Sequence, residues 1–221
     1  MMPGGDAGLA GSGIPRLHLV TDDGVLRDHG FPSRARAVLE EGGQGLALHL
    51  RGPTVGGREV YRIADDLREP AALSRSMLLV NDRLDVVLAL GLQGGHLGQR
   101  SLAPEMARVL LGPDRILGLS VHGASEALEG KEGVVDFLVA GTVYPSSSHP
   151  GGEAPGPRRI REVREVSPLP VLAIGGITPG RVAEVVAAGA HGVAVLSGVW
   201  AREDPAAAVR DYLGALREEK S

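Results

Sequence analysis

From Arg16 onward, short β-branched and aliphatic runs alternate with longer Ala/Leu/Val segments whose apolar positions recur with helical period. The runs predict eight strands, at Arg16–Thr21, Gly45–Arg51, Met77–Val80, Gly94–Leu97, Ile116–Ser120, Asp136–Gly141, Pro170–Ile174 and Gly192–Leu196. The segments between and after them predict helices near Pro32–Glu41, Gly57–Arg68, Arg83–Leu90, Ala103–Leu110, Ala124–Gly130, Arg158–Val166, Arg181–Ala188 and Ala206–Glu218. Ser33 ahead of an Ala/Leu run and Asp204-Pro205 ahead of the last segment are helix-start signals. Eight strand-helix alternations fit an α/β fold of the (β/α)8 TIM-barrel type, a closed parallel sheet, better than an open doubly wound sheet. The first strand-helix turn, Thr21-Asp22-Asp23-Gly24, also lacks the GxGxxG pattern of a dinucleotide fold. A single barrel domain over residues 15–221 is expected, preceded by a flexible tail over residues 1–14.

Composition narrows the chemistry. Cysteine is absent, which removes disulfides, thiolate nucleophiles and cysteine-ligated metals. Of the 23 basic residues only Lys131 and Lys220 are lysines, one in a charged stretch and one in the C-terminal tail, so a Schiff-base lysine is disfavoured. A net charge of −4 and 3% aromatic residues argue against nucleic acid as a partner. No apolar block is long enough for a signal peptide or a membrane span, so the membrane is not a partner and the cytoplasm is the default location.

In a barrel of this type the chemistry lies at the C-terminal ends of the strands. Ala173-Ile174-Gly175-Gly176-Ile177-Thr178-Pro179 ends the seventh strand, and Ser197-Gly198 follows the eighth. Both loops bear glycine and one brings a hydroxyl, which favours phosphate binding at Gly175, Gly176, Ser197 and Gly198 over two tight turns. Ser120-Val121-His122 closes the fifth strand and puts an imidazole at the rim, where proton transfer and helix capping are both open to it. His96 and His191 read as packing residues, while His18 and His49 lie inside strands and can point into the barrel. There is no HxH or HExxH spacing, so a histidine-ligated zinc is not expected. Asp22, Asp23 and Asp82 are loop carboxylates able to hold Mg²⁺, with capping and turn formation the favoured reading of Asp22-Asp23-Gly24. The polar loop from Thr142 to Gly152 has the length and position of a lid.

These motifs, in this order, resemble the thiamin-phosphate-synthase-like superfamily of barrels over nearly the whole chain after Arg16. The most specific pieces are Val80-Asn81-Asp82-Arg83, Gly95-His96-Leu97-Gly98-Gln99, Gly118-Leu119-Ser120-Val121-His122, the Gly141 to Pro145 segment and the Ala173 to Pro179 segment. The synthase branch, which joins a pyrimidine diphosphate to a thiazole phosphate, looks for Gln-x-Arg-x-Lys after strand two and Gln-Glu-Asp after strand four. Here His49-Leu50-Arg51-Gly52-Pro53 keeps only the arginine, and Gln99-Arg100-Ser101 puts a hydroxyl for the metal-binding aspartate. The lysine that the family brings after strand six is replaced by His149 or thereabouts. Stabilising a departing diphosphate is an electrostatic task, and these losses point away from synthase activity.

Gly98-Gln99-Arg100-Ser101-Leu102 and Ser120-Val121-His122 are closer to the thiazole tautomerase (TenI-type) branch. That resemblance implies an isomerase of thiamin biosynthesis that brings a carboxythiazole phosphate to its aromatic form, with His122 as catalytic acid and base and no metal or other cofactor. Arg51 would bind the substrate carboxylate, and Asn81, Ser120 or Ser146 would be orienting donors. The expected partner is a small-molecule thiazole phosphate, with a homo-oligomer left open. The alternatives are an Mg²⁺-dependent thiamin phosphate synthase and a non-catalytic barrel that senses a phosphate ligand.

Overall fold

The computed structural model describes residues 13–146 and 154–219. Eight parallel strands close in chain order: β1 (Leu17–Val20), β2 (Leu46–Leu50), β3 (Met77–Asn81), β4 (Gly94–Leu97), β5 (Ile116–Val121), β6 (Phe137–Ala140), β7 (Val171–Ile174) and β8 (Gly192–Val195). Leu17 to Leu19 pair with Val193 to Val195, which joins the last strand to the first. Around the sheet run α1 (Asp23–Arg27), α2 (Phe31–Gly42), α3 (Gly57–Ser74), α4 (Leu84–Leu90), α5 (Pro104–Leu111), α6 (Ala124–Ala127), α7 (Arg158–Val166), α8 (Val182–Ala187), α9 (Ser197–Trp200) and α10 (Pro205–Glu218). The expected (β/α)8 barrel is therefore the fold.

Side chains alternate as the period-2 pattern requires. Leu17, Leu19, Leu46, Leu48, Leu78 and Val80 face outward into the layer shared with the helices. Val20, Ala47, Leu79, Phe137, Val139, Leu172 and Ala194 face inward and fill the barrel. Gly118 also faces inward, because a Cβ there would stand 2.2 Å from the Phe137 ring and 2.4 Å from His96 Nδ1. That glycine makes room for an aromatic and an imidazole at one level of the barrel.

The departures from the hydrophobic pattern are local. α1 and α9 are one-turn helices, too short to show a period. α9 matters for closure, since Trp200 Nε1 donates to the Val20 carbonyl at 2.9 Å and its ring packs on Phe31. α3 runs past Arg68 and through Pro70 because Ile63, Ala64, Leu67 and Ala71 keep a buried face in phase. α2 begins at Phe31, and Ser33 hydrogen bonds back to the Gly30 carbonyl instead of capping. Asp204 does cap α10, accepting from Ala207 N at 3.0 Å. Ile14, expected in the tail, is 1% exposed and packs into the lower barrel core, so the folded part begins before residue 15. Residues 1–12 of that tail, and Ser147, Ser148 and His149 of the expected lid, lie outside the described residues. Among the described residues no helix is long and apolar enough to cross a membrane.

Candidate active site

The strand ends surround a cavity of about 930 Å³ at the C-terminal mouth of the barrel. Its lining includes every site residue expected from the sequence: Arg51, Asn81, Ser120, His122, Ser146, Gly175, Gly176, Ser197 and Gly198. It also includes groups the sequence left in other roles, among them His49, Asp82, His96, Gln99 and Arg100.

One wall is made of backbone. Gly175 and Gly176 have φ of +101° and +61°, which L side chains rarely adopt. A Cβ on Gly176 would meet the Pro145 carbonyl at 2.6 Å, and one on Gly198 would meet the Tyr212 hydroxyl at 2.3 Å. Beside the β7 turn, Ser197 and Gly198 begin α9, whose first N–H groups have no partner within the helix. The turn is held from outside: Arg181 donates to the Gly176 carbonyl at 2.7 Å and lies over the Tyr144 ring at 4.3 Å. The Tyr144 hydroxyl donates to Glu184. Partial burial and the Glu184 carboxylate push that phenol up to about 12, so it stays protonated.

The facing wall is made of side chains. Arg51 follows β2 and Arg100 follows β4. Asp82 follows β3 at φ +63°, where its carboxylate accepts from Gly98 N at 3.2 Å and from the Ser101 hydroxyl. Asp22 lies nearby but is committed to capping α1, accepting from Val25 N at 2.9 Å. Among the described residues no group of three or more His, Cys, Asp or Glu side chains could cage a metal. A Mg²⁺ carried on substrate phosphates needs only one or two protein carboxylates, and Asp82 meets the lower bound. The donor set therefore fits a phosphate-borne Mg²⁺ and not a metal held by protein alone.

His122 stands at the rim. Glu126 Oε2 accepts from the His122 backbone N–H at 2.9 Å and lies 3.1 Å from its Nδ1, while Gln99 Nε2 approaches the same Nδ1 at 3.0 Å. Partial burial works to raise Glu126, but the hydrogen bonds from the His122 ring and backbone outweigh it and hold the carboxyl below its ordinary value. Arg159, at the start of α7, donates to the His122 carbonyl. Glu126 was legible in principle, four residues after His122 where a helix begins, as a side chain reaching back over its own N-terminus.

The floor is a cluster of imidazoles. His18, His49 and His96 are buried inside the barrel and packed around Phe137, with His96 Nε2 2.8 Å from the Ser120 hydroxyl. His96 is thus part of the cavity and not only packing, because the β4 register turns it inward opposite Gly118. His191 lies at the other end of the barrel, its Nε2 2.9 Å from the Ile14 carbonyl.

A family model described as thiamine monophosphate synthase (TMP-TENI) matches residues 17–199. The chain belongs to that family. A thiamine-phosphate synthase of Desulfitobacterium hafniense (strain Y51) is 39% identical over 202 residues, 91% of this chain and 97% of the relative. The thiamine biosynthesis bifunctional protein ThiM/ThiE of Symbiobacterium thermophilum is 46% identical over 155 residues, 70% of this chain, and the match spans only 32% of that longer protein. A solved thiamine phosphate pyrophosphorylase from Pyrococcus furiosus is 30% identical with a TM-score of 0.80, covering 95% of this chain and 98% of that one.

These likenesses overturn the tautomerase reading, since the relatives that match nearly end to end carry the synthase name. The physical reason lies in the side-chain wall. The motif positions lack the lysine and the second aspartate, but the fold brings Arg51, Arg100 and Asp82 to one side of the cavity. Charge absent from the motif positions is partly supplied by neighbours.

Proposed function

We propose that this member of the family is a thiamin phosphate synthase, a transferase joining a pyrimidinylmethyl diphosphate to a thiazole phosphate. The observation that carries the reading is the pair of dissimilar anion-ready walls facing each other across one cavity. An isomerase acting on a single carboxythiazole phosphate needs the backbone wall and one cation for its carboxylate, and has no use for a second arginine or for a carboxylate able to hold a metal. A coupling of two phosphorylated substrates uses the whole of both walls.

In this reading Gly175, Gly176, Ser197 and Gly198 hold the thiazole phosphate by backbone N–H groups, and Arg51 and Arg100 face the diphosphate. His49, Asn81 and Ser120 receive the pyrimidine ring at the floor, and His122 and Ser146 are hydrogen-bonding groups at the mouth. Asp82 would hold Mg²⁺, which when bound neutralises charge on the diphosphate. The CH₂–O bond to the diphosphate breaks and its electron pair leaves with that group. The thiazole nitrogen lone pair then forms the new bond to the CH₂ carbon. No proton is transferred in that exchange, so the protein acts by alignment and by fixed charge.

The test is to mix the purified chain with both substrates and Mg²⁺ and to quantify thiamin phosphate. Product that depends on both substrates and on Mg²⁺ is expected. Absence of product at saturating substrates and metal overturns the proposal.

A further inference from the structure

His18 lies beneath the cavity, fully buried, and is not one of its lining residues. Its hydrogen bonds nonetheless dictate what the floor presents. The Pro15 carbonyl, which can only accept, is 3.0 Å from His18 Nε2, so that nitrogen carries the proton. Burial and the neighbouring imidazoles keep His18 neutral, and its Nδ1 is therefore a lone pair. That lone pair is 2.7 Å from His49 Nε2, which must then be the protonated nitrogen of His49. Burial also lowers His49, to about 4, so at neutral pH its Nδ1 is bare.

The rest of the floor follows the same logic. His96 Nδ1 is buried without a partner, and an unpaired N–H is rarer than an unpaired acceptor. The His96 proton therefore sits on Nε2 and is given to the Ser120 oxygen, leaving the Ser120 hydroxyl proton for the cavity. Asn81 is the other polar side chain bearing on His49, and its Oδ1 is buried with no partner. The bare His49 Nδ1 lines the cavity and is an acceptor for a ligand.

We propose that His18 is a positioning residue: anchored on the Pro15 carbonyl, it fixes the proton of His49 on Nε2, so that the floor offers the His49 Nδ1 acceptor beside the Ser120 donor. Such a floor selects a heteroaromatic edge that pairs an N–H donor with a ring-nitrogen acceptor and disfavours the reverse edge. The consequence for catalysis rests on the transferase reading, with the pyrimidine as the selected ring, whereas the proton placement does not.

The experiment uses the full chain with ¹⁵N-labelled histidine, at neutral pH and without substrate. His49 signals are assigned by their loss in His49→Gln. A single tautomer of His49, protonated on Nε2, is expected. A His49 protonated on Nδ1, or averaging between tautomers, overturns the proposal without need of any other variant. His18→Phe keeps an aromatic ring in the cluster but removes the lone pair, and should release His49 to tautomer averaging. It should also raise KM for the pyrimidine diphosphate about tenfold, the equivalent of one hydrogen bond, with KM for the thiazole phosphate within about twofold. His18→Asn returns an acceptor at the place of Nδ1 and should restore both readouts. An unchanged His49 spectrum in His18→Phe, or equal changes in both KM values, overturns the role given to His18. If the spectra behave as expected and no variant forms thiamin phosphate, the transferase reading fails and the proton placement stands.

Discussion

The two walls of the cavity solve the same problem, holding an anion, with different materials. The β7–β8 wall uses backbone, and its demands are steric: φ of +61° at Gly176 and no space for a Cβ at Gly176 or Gly198. The β2–β4 wall uses Arg51, Arg100 and Asp82, whose demands are on charge and reach, not on one residue at one place. A backbone cradle is therefore rigid in sequence, while a charged wall can be assembled from neighbouring positions. The floor lies beneath both, and conditions that unfold the barrel around it should not discriminate between them.

Acid is such a condition and should have the largest effect. Burial, with the other imidazoles, holds His18 well below the ordinary histidine value of about 6.5; burial does the same to His96 and brings His49 to about 4. Above pH 6.5 these side chains are neutral folded or unfolded, and they cost nothing extra. As pH falls from 6.5 toward 4 the unfolded chain binds protons that the native chain does not, so stability is lost across that window. For His49 the loss between pH 6.5 and 5 is about 2 kcal/mol, and His18 and His96 add to it in the same direction. Urea unfolding at pH 7 and pH 5 checks this, and His18→Phe should lower the slope by one proton. A flat profile would mean that these imidazoles are protonated in the native state.

Gly176→Val should break the first wall and spare the second. A β-branched residue at positive φ carries on the order of 1–3 kcal/mol of strain, and its Cβ has the Pro145 carbonyl 2.6 Å away. KM for the thiazole phosphate should rise about 10²-fold, roughly 2.7 kcal/mol, with KM for the diphosphate nearly unchanged. Equal effects on both substrates would show that the two walls are not independent.

This contrast explains what was legible in the sequence. The barrel was readable because period-2 strands and period-3.6 helices alternate without interruption, and the Gly175-Gly176 and Ser197-Gly198 turns were readable because their steric demand leaves a signature in residue type. The side-chain wall misled, since Gln99-Arg100-Ser101 shows an arginine but not that the barrel sets it in one cavity with Arg51 from two strands earlier. The inward turn of His96 was hidden for another reason. It follows from the register of β4 against Gly118 on β5, a property of the pair that neither strand reveals by itself.

Asp82→Asn should break the second wall and spare the first. Asn tolerates the positive φ and keeps an oxygen for Gly98 N and Ser101, so the loop survives while the charge is lost. The Mg²⁺ concentration for half activity should rise and kcat/KM for the diphosphate should fall, by about 30-fold, somewhat less than for a fully enclosed electrostatic donor. Ser101→Asp should move the same wall in the opposite direction. It returns a second carboxylate beside Asp82, and the Mg²⁺ needed for half activity should drop about tenfold. Without metal the same variant should be less stable than the parent, because two like charges then face each other. No response to either substitution in a Mg²⁺ titration would remove Asp82 from the metal site.

The smallest expected effect separates two ways of holding the Gly176 turn. Arg181 reaches the Gly176 carbonyl while its guanidinium lies over the face of Tyr144, so the ring braces the arginine and the arginine braces the turn. The Tyr144 hydroxyl donates instead to Glu184, an exposed hydrogen bond that is not part of the Arg181–Gly176 contact. A hydrogen bond of that kind contributes about 0.5–1.5 kcal/mol at most, and Tyr144→Phe leaves the stacked ring in place. KM for the thiazole phosphate should therefore rise no more than about threefold, whereas Tyr144→Ala, which removes the ring, should raise it about tenfold. If the phenylalanine variant loses as much as the alanine variant, the brace runs through the Tyr144–Glu184 hydrogen bond, and the backbone wall depends on a side-chain contact after all.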